Sequence, residues 1–183
     1  WWLQLGPTSG DIRAPAGADV ADTAFAGTLA RRGDVFRWTP ELAHGSVTDG
    51  APDEGRLSFE GEVLREDGVH SRYVEHWRRV VPAGPCDEAV RFREAGAARE
   101  GFLIEIGPFG FCARPRPDGE VAFALVERVA GAAVVRLAVG CPAAPDEAID
   151  WPSRAENRLR FPDCPLGPAA EVAARPAGEP LAL

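Results

Sequence analysis

The chain has 183 residues, a formal net charge of −8 and 45% hydrophobic residues. It contains no apolar run of the roughly 18 residues that a membrane helix needs. Its 20 basic residues are all arginine and lie scattered without a stripe, which argues against nucleic acid as a partner. The length fits one domain with a sizeable core.

Taken in chain order, apolar residues recur at every second position, the period of a pleated strand. Trp1–Leu5 and Asp11–Arg13 read as short extended segments around a Gly6-Pro7 turn, and Pro15 to Asp22 as a loop. Phe25–Leu29 reads as a strand, with a turn at Arg31 to Asp34; Val35–Leu42 is strand-like as far as Pro40, which removes a ladder donor. Ala43–Gly55 is polar and reads as a loop. Leu57–Leu64 and Val69–Val81 form a hairpin whose turn is expected at Arg65-Glu66-Asp67-Gly68. Ala89–Glu94 is a strand, and Glu94–Glu100 is Ala-rich enough for a helical turn. Phe102–Ile106 and Phe109–Arg114 turn at Gly107-Pro108; Val121–Val129 and Ala132–Val139 turn at Ala130-Gly131. A short helix is expected near Asp146–Asp150 and a last strand at Arg158–Phe161. From Pro162 onward a Pro/Ala-rich tail follows that lacks hydrophobic bulk. The pattern predicts an all-β antiparallel barrel of about 8–10 strands over residues 1–161, with at most one or two short helices.

Cys86, Cys112, Cys141 and Cys164 form no C-x-x-C pair. With no signal peptide visible, four free thiols and a cytoplasmic location are expected.

Trp2-Leu3-Gln4, Asp11 to Pro15, Phe25 to Thr28, Gly68-Val69-His70, Tyr73, Glu75-His76-Trp77, Gly101 to Gly107, Phe109 and Ala113-Arg114 together resemble a bacterial family of lipocalin-like (calycin-type) proteins without established activity. The pattern is also similar to a fungal family built of two lipocalin-like domains. The likeness covers about residues 1–140. It implies a lipocalin-like barrel and leaves the chemistry open, since function resides in sites rather than folds. Leu5–Gly10 and Val35–Leu42 depart from the family wording, at positions where a cavity would be lined.

In the segment from His70 to Arg79, odd positions share one strand face and even positions the other. The odd face carries Tyr73, Glu75 and Trp77 and is expected to point inward. Glu75 would then lie between two aromatics and need a cationic partner. Arg13 is the first candidate and Arg37 the second. His70 and His76 are six residues apart, roughly 20 Å on one strand, too far for a chelate; His44 lies in the loop region. No nucleophile elbow, phosphate loop or dinucleotide fingerprint occurs. No metal site, no cofactor and no catalytic residue is assigned. The aromatic set Trp2, Trp38, Phe59, Trp77, Phe102, Phe109, Phe111 and Phe123 could line a pocket or fill a core.

The expected function is binding of a small, mostly apolar ligand in a barrel cavity, with Arg13, Trp38, Tyr73, Glu75, Trp77, Ile104 and Phe111 as ligand-binding residues. Two alternatives remain: a cavity enzyme of isomerase, cyclase or hydratase type with Glu75 or His76 as general base, and a packed interaction module without ligand. No membrane or nucleic-acid partner is expected, and the oligomeric state is not specified.

Overall fold

A computed structural model describes residues 1–15, 18, 21–45, 50–82, 84–155 and 158–177. Among them the chain forms sixteen strands and no helix, in two curled antiparallel sheets. The first sheet is a meander whose spatial order is its chain order: β1 (Trp2–Leu5), β2 (Thr8–Arg13), β3 (Thr23–Arg32), β4 (Val35–His44), β5 (Asp53–Glu60), β6 (Val63–Gly68) and β7 (Val74–Arg78). The second contains β8 (Glu88–Phe92), β9 (Gly101–Ile106), β10 (Phe109–Pro115), β11 (Val121–Val129), β12 (Ala132–Val139), β13 (Ala148–Ile149), β14 (Ser153–Ala155), β15 (Arg158–Phe161) and β16 (Ala170–Pro176). Its order is β13-β12-β11-β10-β9-β8-β16-β15-β14.

The hairpin β9–β10 turns at Gly107-Pro108, and β11–β12 turns at Ala130-Gly131, as the pattern predicts. Ala130 and Gly131 both have positive φ, 51° and 87°, the combination a type I′ turn requires. Pro40 sits within β4, opposite Gly27 and beside a register shift in β3, so the missing ladder donor is absorbed by a bulge.

Five expectations are corrected. The β5–β6 turn lies at Gly61-Glu62, with Gly61 at φ 65°, and Arg65 to Gly68 are strand residues. The turn residues Asp67 and Gly68 misled because Gly61 supplies the left-handed conformation earlier. The segment near Asp146–Asp150 holds the short strand β13 instead of a helix, and Glu94–Glu100 forms turns and bends. Ala170–Pro176 is no loose tail: β16 pairs with β8 and β15, because Val172 and Ala174 alternate into a buried face. Residues 178–183 of that tail lie outside the described residues, as do 156 and 157. Val69–Val81 is strand only from Val74 to Arg78.

The second sheet is buried on both faces. Leu103, Cys112 and Ala124 share a face with Phe92, Val126, Leu159 and Val172 and close a core inside the curl of that sheet. Ile104, Phe111 and Leu125 share the other face with Phe102 and Phe123, and pack on Leu3, Ile12, Ala24, Ala26 and Leu42 of the first sheet. Gly10 permits this approach: a Cβ there would stand 2.5 Å from the Phe111 ring. Arg91 on β8 ties the sheets together, donating to both carboxylate oxygens of Glu41 on β4 at 2.6 Å, with its guanidinium 4.4 Å from the Phe102 ring centroid. No helix among the described residues is long and apolar enough to cross a membrane.

Candidate functional site

The first sheet packs Leu3, Ile12, Ala24 and Ala26 against its neighbour. Strand alternation therefore sends Trp2, Asp11, Arg13 and Phe25 to the opposite, concave face. The register brings Trp2 opposite Asp11, Asp11 opposite Phe25, Trp38 opposite Asp53, and Glu66 opposite Glu75. The curl then does what hydrogen bonding between edge strands does not. Trp2 on β1 meets Trp77 on β7, ring centroids 5.5 Å apart, and meets Trp38 at 5.8 Å, both edge-to-face. Trp2, Asp11, Arg13, Phe25, Trp38, Asp53, Glu66 and Trp77 line one pocket, whose volume of about 10 Å³ holds about one water.

Arg13, at the end of β2, reaches across the curl to the edge strand β7. Its Nε donates to Asp11 Oδ2 at 2.7 Å and its Nη1 to Glu75 Oε1 at 2.8 Å, while the guanidinium stands 5.7 Å from the Trp77 ring centroid. Burial opposes the Arg13 charge, but Asp11 and Glu75 outweigh it and raise the pKa. The partner expected for Glu75 is thus in place, and Glu75 and Trp77 turn inward while His76 faces solvent. Glu75 stands at the rim, however, with its side chain 30% exposed, and the deeply buried carboxylates are others.

Those carboxylates are Asp11 and Glu66. The side chain of Asp11 is 3% exposed, and its Oδ1 has no hydrogen-bond partner. The Trp1 amino nitrogen lies 3.9 Å from that oxygen, beyond hydrogen-bonding reach. Burial raises the Asp11 pKa, with Arg13 pulling against it. Glu66 accepts the Tyr73 hydroxyl at 2.7 Å and the Trp77 indole N–H at 3.0 Å. Burial raises its pKa, these two donors oppose the rise, and Glu75 adds to it. Asp53 is raised by burial, opposed by Arg13 and reinforced by Glu75 and Asp11. Burial and the neighbouring Glu66 also raise the Tyr73 phenol. Asp11, Asp53 and Glu75 therefore act on one guanidinium, with Glu66 beside them, among three indoles.

Of the residues named from sequence, Arg13, Trp38 and Trp77 line the pocket, Glu75 is bound to Arg13, and Tyr73 reaches it through Glu66. Ile104 and Phe111 do not reach it: both are fully buried in the core between the sheets. Phe102 and Phe123 lie in that same core, and Phe59 is 68% exposed. Arg37, the second candidate partner of Glu75, lies 3.8 Å from Glu54 instead. His70 is also held by Glu54, at 2.8 Å, away from the pocket. The four cysteines are free, and burial pushes the Cys112 thiol up. No group of three or more His, Cys, Asp or Glu able to hold a metal occurs among the described residues.

Sequence reasoning missed Asp11, Asp53 and Glu66. Asp11 alternates with Arg13 in D-I-R, so it shares the face assigned to Arg13 and was open to the same argument. Glu66 was hidden by the misplaced turn, and Asp53 by the polar composition around it. No family model, no curated protein and no solved structure matches the chain.

Proposed function

We propose that the chain is a lipocalin-like binder of a small molecule, and that the ligand lies on the concave face of the first sheet against Trp2, Trp38 and Trp77. The observation that supports this reading is the contrast between the two concave faces. The second sheet fills its curl with Leu, Val, Ala and Phe, which is sufficient for stability. The first fills its curl with three indoles, four carboxylates and one arginine. Aromatic surfaces with convergent polar groups among them are what a binding site needs and a core does not. With room for one water in the pocket, a ligand enters by displacing the Arg13 side chain, which is 43% exposed and must leave Asp11 and Glu75 to swing outward.

Native mass spectrometry of protein purified from its own host tests the reading. A co-purifying small molecule that is lost in Trp38→Ala is expected. A bare chain mass for both proteins would leave a packed interaction module. A second reading has one observation in its favour: burial raises the pKa values of Asp11, Asp53 and Glu66, the direction in which a general base is tuned. In that reading the base belongs to the concave face, not to the outward His76.

A further inference from the structure

We propose that the ligand of this site is a small organic cation of guanidinium or quaternary ammonium type, and that Arg13 occupies its seat when the site is empty. The inference rests on the binding reading above and names the charge of the ligand. Three features carry it. Trp2, Trp38 and Trp77 line the same pocket, Trp2 meeting each of the other two edge-to-face, and indole rings are the aromatic surfaces that hold a cation best. The guanidinium of Arg13 already stands over Trp77, 5.7 Å from its centroid, so one of these indoles carries a planar cation. Asp11 Oδ1 is buried, lines the pocket and lacks a hydrogen-bond partner, although a buried carboxylate oxygen normally has one.

Charge excludes the opposite choice. An acidic ligand would have to pair with Arg13, whose guanidinium is already held by Asp11 and Glu75, and would face Asp53 and Glu66. A neutral apolar ligand would satisfy the indoles and leave Asp11 Oδ1 without a hydrogen bond. A guanidinium satisfies both, whereas a quaternary ammonium, which has no N–H, meets the indoles and the carboxylate's charge alone. Because Arg13 competes for the seat, removing its side chain should open the site, and a free guanidinium should then replace what was cut away.

The test follows the five indole N–H signals in a proton–nitrogen correlation spectrum at constant ionic strength. Tetramethylammonium and methylguanidinium are the cationic probes, and 3,3-dimethylbutan-1-ol is the neutral probe of similar shape. Wild type, Arg13→Ala and Arg13→Gln are compared, the last keeping part of the side-chain stem. The cations should shift the signals of Trp2, Trp38 and Trp77 and leave that of Trp151, in the other core, in place. They should bind about tenfold more tightly than the alcohol, and more tightly to Arg13→Ala than to wild type. Methylguanidinium should also raise the melting temperature of Arg13→Ala by more than it raises that of wild type. Equal binding of alcohol and cations would overturn the cation inference and leave the binding reading intact. Equal affinity of the cations for wild type and both variants would overturn the role of Arg13. No shift of these three indoles with any probe, in wild type or in whichever variant folds, would overturn the inference and the binding reading together.

Discussion

Replacing Arg13 by Ala should cost far more than replacing Glu75 by Ala, although the two form one ion pair. The reason is the unequal burial of Arg13's two partners. Asp11 is 3% exposed, so Arg13→Ala leaves a buried carboxylate whose one remaining ion-pair partner is the Trp1 amino group, 3.9 Å away. Breaking a buried pair from one side costs about 3–5 kcal/mol. The Arg13 side chain is 43% exposed, so water reaches the vacated position and screening lowers the loss to about 2–3 kcal/mol. Glu75→Ala removes a carboxylate that is 30% exposed and leaves Arg13 held by Asp11, so it should cost under about 1 kcal/mol. For a chain of this size the first loss lowers the melting temperature by roughly 4–12 °C. Chemical denaturation of single and double variants separates the terms. Coupling between Asp11 and Arg13 should be large, since Arg13→Ala in an Asp11→Ala background strands no charge. The penalty of Arg13→Ala should also shrink in mild acid, where Asp11 can take up a proton. An Arg13→Ala penalty no larger than that of Glu75→Ala, or an additive Asp11–Arg13 cycle, would refute the reasoning.

The concave carboxylates also set a pH dependence. Asp11, Asp53 and Glu66 have folded pKa values raised above their unfolded values near 4, so the folded chain binds more protons across that interval. Stability should therefore fall as pH rises from about 4 through the raised values, and Glu66→Gln should flatten the slope; a denaturation midpoint that climbs steadily from about pH 5 to 8 would contradict this. Phe111→Ala should cost about 3–5 kcal/mol by emptying the core between the sheets, yet leave the indole signals of Trp38 and Trp77 unmoved. Gly55→Ala should shift the Trp77 indole signal, because the new Cβ would stand 2.8 Å from Glu66 Cγ and push the carboxylate that accepts that N–H. An unchanged Trp77 signal in Gly55→Ala would mean that Glu66 is not held as described.

The strands were legible wherever alternation was strong and the turn residues unambiguous. The pairs β9–β10 and β11–β12 fall where Gly107-Pro108 and Ala130-Gly131 place them. Period two also assigned the inward face of β7, and with it the Arg13–Glu75 pair, since a slip of one residue would have exchanged Glu75 for His76. Where two turn signals competed, local composition could not decide. Gly61 and Gly68 both permit a left-handed turn, and the choice depends on pairing with β7, which is a tertiary fact. The strand β16 was illegible for a related reason: Ala and Pro carry little pattern, and only the edge of β8 makes Ala170–Pro176 a strand. The division into two sheets was equally hidden. Both faces of the second sheet are buried, so Phe111 and Cys112, adjacent in sequence, serve separate cores, and an aromatic count could not tell pocket from core.

The claim that the concave face of the first sheet is a ligand site is tested most directly by a crystal structure of the protein purified from its own host. The account predicts density for a small molecule against Trp2, Trp38 and Trp77, with an atom bonded to Asp11 Oδ1 and the Arg13 side chain turned outward. Arg13 still bound to both Asp11 and Glu75, with a single water in the pocket, would contradict it.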